Sequence, residues 1–203
     1  MGLDITAVSK LKPIEIPDHL EQWSDEYYDW EMEQEGSIVN IYTHDAFPEA
    51  SEGLEDGAYL ELGERYGFRA GSYSGYGMWR EWMASAIMQG ILGKTGGAST
   101  MWGRGDEGDY GLPFMELINF SDAEGIIGPV ASKKLYNDFR QYENDVMDWM
   151  DHQYLTQTPM KQSWRDEEVK PMDKEDFEWF HTKYKDWKEA FRIASDNGAV
   201  IFQ

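Results

Sequence analysis

The stretch DKEDFEWFHTKYKDWKEAFRIASDNGAVIFQ, residues 173–203, decides the fold class. Asp173 stands where an N-cap belongs. Phe177, Phe180, Tyr184, Trp187, Phe191 and Ala194 follow at alternating steps of three and four, which predicts one long helix with a single apolar stripe. Asn197-Gly198 ends it with a residue free to adopt positive φ. AVIFQ (199–203) then reads as a terminal strand.

Working outward, LDITAVSKL (3–11) alternates Leu3, Ile5 and Ala7 with Asp4 and Thr6, the pattern of a half-buried strand. SIVNIYT (37–43) is short and β-branched, a second strand. THDAFPEASEGLEDG (43–57) is polar and turn-rich, a loop. AYLELGERYGFRAG (58–71) reads as a strand with glycines that permit a bulge or bend. GYGMWREWMASAIMQGIL (75–92) spaces Trp79, Met83, Ile87 and Ile91 four apart, a helix face. GKTGGASTMWGRGDEGDYG (93–111) holds seven glycines, a loop. PFMELINF (113–120) reads as a strand, and Leu135, Phe139, Tyr142, Val146 and Trp149 mark a helix over about 132–151. LTQTPMKQSWRDEEVKPM (155–172) reads as a proline-bounded linker. The expectation is a single α+β domain over 1–203, with a small mixed or antiparallel sheet of four or five strands and three to four helices.

Composition sets the limits. A chain of 203 residues that is 41% hydrophobic and 15% aromatic can bury a sizeable core. It has no cysteine, which excludes disulfides, thiolate metal sites and cysteine nucleophiles. No apolar run reaches the ~18 residues of a membrane span, and MGLDITAVSK lacks a signal peptide's apolar block, so no membrane is expected and the expected compartment is the cytoplasm. The net charge of −21 disfavours direct contact with nucleic acid.

That charge is concentrated. From Pro13 to Glu64 there are sixteen acids and no Lys or Arg. The densest part is DHLEQWSDEYYDWEMEQEG, residues 18–36. Leu20, Trp23, Tyr27 and Trp30 form an apolar stripe at helical spacing, with Asp18 as N-cap and Gly36 as stop. Tyr28, Trp30 and Met32 also alternate, which leaves a strand open for the second half.

Individual motifs are weak. GKTGG (93–97) falls short of a phosphate loop: Met88 stands where a glycine is required, and a helix rather than a strand precedes it. Asp106, Glu107 and Asp109 lack the alternation of a calcium loop. GSYSG (71–75) lacks nucleophile-elbow spacing. His19, His44, His152 and His181 form no ligand pair by spacing, and His44-Asp45 are adjacent, a spacing at which side chains of a strand or loop are expected to point apart. No cofactor or metal is expected. Ser121-x-x-Glu124 matches a capping box, against which Asp122 and Glu124 are a carboxylate pair for acid–base work. In FRAGSYSGYGMW (68–79), Arg69, Tyr73, Ser74 and Tyr76 suit a small anion or nucleotide, or else core packing at a strand–helix corner.

FRAGSYSGY and LINFSDAEGIIGP, together with the opening MGLDIT and the closing NGAVIF, resemble a group of phage- and prophage-associated bacterial proteins with no assigned activity. The resemblance covers about half the chain and implies a mobile-element setting with a host-interaction role, and no mechanism. The expected function is binding rather than catalysis. Glu21, Trp23, Asp25, Glu26, Asp29, Trp30, Glu33 and Glu35 would meet a basic host protein, such as a nucleic-acid-binding one whose Lys/Arg accept carboxylates in place of phosphates. The alternatives are a small-ligand or nucleotide-sequestering protein or weak hydrolase built on 68–79 and 119–129, and a structural component of a virion.

Overall fold

The computed structural model describes residues 2–43, 48–95, 112–120, 125–161 and 169–203. In chain order the elements are β1 (Leu3–Val8), β2 (Lys12–Pro13), α1 (Asp25–Glu33), β3 (Ile38–Asn40), a 3-10 turn (Pro48–Ser51), β4 (Tyr59–Glu61), β5 (Arg65–Gly71) and α2 (Tyr73–Ser85). A π-helical turn (Ala86–Ile91), α3 (Met115–Asn119), β6 (Gly125–Ile127), α4 (Pro129–Gln141), α5 (Glu143–Leu155), β7 (Pro159–Lys161), β8 (Val169–Pro171), α6 (Lys174–Ala194) and β9 (Ala199–Phe202) follow. The α+β class stands. Among the described residues there are six α-helices and nine short strands, more of each than the sequence pattern suggests.

The two ends of the chain pair at the centre. Sheet order is β5-β1-β9-β6, antiparallel throughout, which settles the choice between mixed and antiparallel. Its β6 and β9 are buried on both faces, whereas β5 exposes Arg65, Gly67 and Arg69. Leu3, Ile5, Ala7, Ile127, Val200 and Phe202 join the larger core under the helices, whereas their neighbours Val8, Ile126, Ala199 and Ile201 join a second cluster with Leu11, Ile41 and Leu60. Period-two alternation therefore sends the side chains of β9 into two different cores, which is why AVIF is apolar at every position.

The helical side is held by aromatic packing. Trp187 of α6 lies within 6 Å of Phe68, Tyr76, Trp79, Phe191 and Phe202, with centroid distances from 5.0 to 5.9 Å. The turn after α6 divides two tasks. Asn197 takes the positive φ (48°), and Gly198 is needed because a Cβ there would sit 1.9 Å from the Val8 carbonyl oxygen.

The other side is the acidic unit. β2, β4 and β3 form a small antiparallel sheet in the order β2-β4-β3. Its Val39, Ile41 and Leu60 face the central sheet, while Tyr59, on the opposite face, carries Tyr27 and Trp30 of α1. The layers thus run α1, small sheet, central sheet, helices.

Several local expectations are corrected. The acidic helix starts at Asp25 under a Ser24 cap (Ser24 Oγ accepts from Tyr27 N–H, 3.2 Å) and not at Asp18. Turns closed by Leu20 N–H to Pro17 and by Ser24 N–H to Glu21, with Trp23 at φ 71°, use the residues before it. Its second half is helix, not strand. Residues 58–71 divide into β4 and β5 in different sheets, and Gly63 between them donates its N–H to the Ser9 carbonyl oxygen (2.8 Å).

PFMELINF is mostly helix, because buried polar groups hold it: Asp138 accepts from Phe114 N–H (2.8 Å), and Lys134 reaches both Glu116 and the Leu112 carbonyl oxygen. The helix expected over 132–151 is two helices that meet at Tyr142, where Glu143 and Asp145 suit a fresh N-terminus. The linker at 155–172 contains a hairpin, β7 with β8. Residues 162–168 within it, His44-Asp45, most of the glycine-rich loop (96–111) and the pair Asp122 and Glu124 lie outside the described residues.

Candidate functional site

The acidic unit keeps its charge. Fifteen of the sixteen acids between Pro13 and Glu64 are described, and only Glu64 among them is in an ion pair with a described base, Arg192 at 3.5 Å. Five further bases pair elsewhere. Lys134 pairs with Glu116 and Asp138, Lys183 with Asp186, Lys188 with Glu143, Lys174 with Glu178, Lys10 with Asp196, and Arg192 also with Glu189. Each of these acids lies outside the 13–64 stretch. Among the described residues, the ion pairs thus fall outside the 13–64 stretch, with Glu64 the exception.

Helix α1 shows how that charge is presented. At ~100° per residue, Tyr27, Trp30 and Glu31 share the inward side. Tyr27 is buried, Trp30 packs edge-on against Tyr59 (centroids 5.5 Å apart), and Glu31 accepts from the Tyr59 hydroxyl (2.8 Å), which itself lies 2.6 Å from that of Tyr27. Burial, with these two partners, holds the Tyr59 phenol above its ordinary pKa.

The outward side carries two parallel rows. Asp25, Asp29 and Glu33 stand at i, i+4 and i+8, with Glu26 beside them, and all four are exposed. Next to them runs an apolar row. Trp23 is 65% exposed, Tyr28 45% and Met32 72%, and the Trp23 and Tyr28 rings are 6.4 Å apart.

The expected partner-binding residues therefore separate. Glu21, Trp23, Asp25, Glu26, Asp29, Glu33 and Glu35 are exposed, whereas Trp30 is half-buried and serves the small sheet. Tyr28 and Met32 were missed as contact residues, although their i, i+4 spacing inside the same segment is the signal that places them together on the surface.

Among the described residues, the expected ligand-binding residues Arg69, Tyr73, Ser74 and Tyr76 do not converge on one site. Tyr76 is fully buried, its hydroxyl donating to the Leu117 carbonyl oxygen (3.2 Å), and Arg80 one turn on is buried and reaches the carbonyl oxygens of Ile118 and Phe120. The 68–79 segment does meet the chain leading into 119–129, and it does so by tethering α2 to α3. Arg69 is exposed on β5 opposite Asp4, and Tyr73 is at the surface.

Ser72 caps α2 by accepting from Gly75 N–H (3.0 Å), the structural role expected of a turn. Ser74 lines a cleft of about 450 Å³ with Met78, Trp82, Trp179, Glu175 and Asp176. Burial, reinforced by Asp173 and Glu175, pushes the Asp176 carboxyl above its usual range. With two acids and no Lys or Arg among its described lining, this cleft has the wrong sign for a nucleotide phosphate.

Among the described residues there is no cluster of three His, Asp or Glu that would hold a metal ion. No helix among them is long and apolar enough to cross a membrane.

No family model, curated protein or solved structure matches this chain.

Proposed function

We propose that the protein acts by binding a basic protein through the outer side of α1. The observation that carries this is the coincidence, on α1 and the turn just before its cap, of a carboxylate ridge outside the described ion pairs and an exposed aromatic row. Opposite potentials steer encounter and fix orientation. Large flat side chains at the centre of a contact supply most of its energy, and Trp23 and Tyr28 are of that kind.

In the mobile-element setting that the resemblance implies, the partner is a host protein whose Lys and Arg otherwise hold nucleic acid. The ridge imitates the field of a phosphate backbone more than its spacing. Its acids rise ~6 Å per i+4 step, against ~3.4 Å per phosphate along one strand of a duplex.

The test begins with a pull-down from host lysate, comparing wild type with the Asp25→Asn, Asp29→Asn, Glu33→Gln triple variant. The retained protein is then titrated as salt rises from low to physiological. Affinity should fall steeply with salt, fall in the triple variant, and fall again with Trp23→Ala. Affinity indifferent to salt and to the triple variant would remove the proposal.

A further inference from the structure

The hairpin beneath α1 has an open margin. β3 is the last strand of its sheet, with β4 on one side and no described strand on the other. Leu62 N–H donates to the Ser37 carbonyl oxygen (3.0 Å) and Ile41 N–H to that of Ala58 (2.9 Å), so Ser37 and Ile41 bond inward across the hairpin. An antiparallel ladder alternates bonded and non-bonded positions, which makes Val39 the third inward residue. Ile38 and Asn40 consequently turn their N–H and C=O groups away from β4. Asn40 also holds a buried side-chain oxygen, Oδ1, with no hydrogen-bond partner.

Natural sheets blunt such margins with proline, with lysine or with a covering group. β2, at the other margin of the same sheet, ends in Pro13. β5 is partly covered, because Lys183 Nζ donates to the Arg69 carbonyl oxygen (2.7 Å). Among the described residues, the run Ser37–Ile41 has none of these devices. Beside it lies a cleft of about 510 Å³, lined by Val8, Val39, Leu62 and Ile201, with Glu35 and Arg65 also on its wall.

We infer that β3 is a strand-addition site, at which an extended basic segment of the partner pairs with the outward groups of Ile38 and Asn40 and sets an apolar side chain in the neighbouring cleft. The inference rests on the basic-partner reading and deepens it. Main-chain pairing supplies affinity, and the two-residue period of the added strand supplies selectivity. Where one residue of the incoming segment points to Val39 and Ile201, its neighbours point the other way, toward the side on which α1 and its carboxylates lie. The recognised pattern is therefore basic–apolar–basic. A second copy of this chain is a poor occupant, since edge-to-edge pairing would bring two strongly anionic units together.

The experiment uses the intact 203-residue chain and two labelled pentapeptides of equal charge, Lys-Val-Lys-Val-Lys and the same sequence with alternate backbone amides N-methylated. Fluorescence anisotropy reads affinity, and amide hydrogen exchange reads the edge directly. The unmethylated peptide should bind and should slow exchange at Ile38 and Asn40, and methylation should weaken it about tenfold, the effect of one or two lost hydrogen bonds. Ile38→Pro removes an outward donor without touching the inward ladder, so it should cost about the same factor while the protein stays folded. The N-methylated peptide leaves the protein unaltered and decides the matter should that variant unfold.

Equal binding by the two peptides, unchanged exchange at Ile38 and Asn40, or no binding at all overturns strand addition. If methylation has no effect but neutralising Asp25, Asp29 and Glu33 does, strand addition falls and the acidic surface stands. If methylation matters and neutralisation does not, the edge stands and its preference for a basic segment falls. A dimer in light scattering that Ile38→Pro abolishes would replace the basic partner with a second copy.

Discussion

Single residues separate surface that is spare from surface that is structural. Trp23 and Trp187 belong to the same residue type, yet one is two-thirds exposed and the other fully enclosed by aromatic rings. Truncating Trp187 to alanine should cost about 3–5 kcal/mol, because a large cavity opens where the helices meet the central sheet. Trp23→Ala should leave stability within about 0.5 kcal/mol, as surface changes do, while weakening partner binding. Urea denaturation of the two variants checks both.

The Tyr27–Tyr59–Glu31 chain is the polar counterpart. Glu31→Ala removes the acceptor at its end and should cost about 1–3 kcal/mol, whereas Glu31→Gln keeps an acceptor and should restore most of it. These contrasts were only half legible in the sequence. The apolar stripe of 173–194 predicts Trp187 correctly, but Tyr27 and Trp23 sit on one stripe in the sequence and part company only because the chain turns before Ser24.

At the level of elements, strongly periodic segments were readable and short ones were not. β1, α6 and β9 follow from their own patterns, since each repeats one period without interruption. α3 is a different case. Its five residues carry no decisive period, and what holds them helical is the half-buried Lys134 of α4, shared by Glu116 and Asp138. Burial holds Glu116 above the ordinary carboxylate range despite Lys134.

Lys134→Met should therefore cost about 3–5 kcal/mol at neutral pH, by leaving two adjacent buried carboxylates without a cation. The sign with pH follows. A carboxyl raised in the folded state favours folding below its unfolded pKa, and that advantage is lost as pH rises through the folded value. The variant's deficit should accordingly shrink on acidification from pH 7 toward pH 5, read as a narrowing Tm gap from wild type.

α1 breaks a local rule. It has no basic residue in its last turn, and Asp25, Asp29 and Glu33 repel one another at i, i+4 spacing. Glu33→Lys should stabilise the fold by about 0.5 kcal/mol, through the helix dipole and a new i, i+4 pair with Asp29, and raise Tm. The same change should weaken binding of a basic partner. A helix that is better for stability and worse for recognition is the expected mark of a surface kept for contact.

The whole molecule carries its charge unevenly, and that has a thermodynamic consequence. The described ion pairs lie almost wholly outside the stretch from Pro13 to Glu64, so repulsion is least relieved in the layers built from Lys12 to Glu61. This asymmetry was the most legible feature of the sequence. What the sequence left hidden was that the unit covers a second face of the central sheet, because only the pairing of β1 with β9 creates that face.

Screening should relieve the repulsion, since the Debye length falls from ~30 Å at 0.01 M to ~10 Å at 0.1 M, short enough to isolate acids on different elements. Tm should thus rise with sodium chloride over that range. Acid should act in the same direction at first. Glu116 and Asp176 have carboxyls raised by burial, so their contribution to folding is gained as pH falls through their folded values. Glu189, lowered by its hydrogen bond to Arg192, acts oppositely and loses its contribution only below the usual carboxylate range. A Tm that climbs from pH 8 to about pH 5 and then drops, with the climb flattened by salt, is the expected profile. A Tm independent of salt and pH across that window would mean the unpaired carboxylates do not repel one another in the folded state, and the helix α1 surface would lose its claim to a concentrated field.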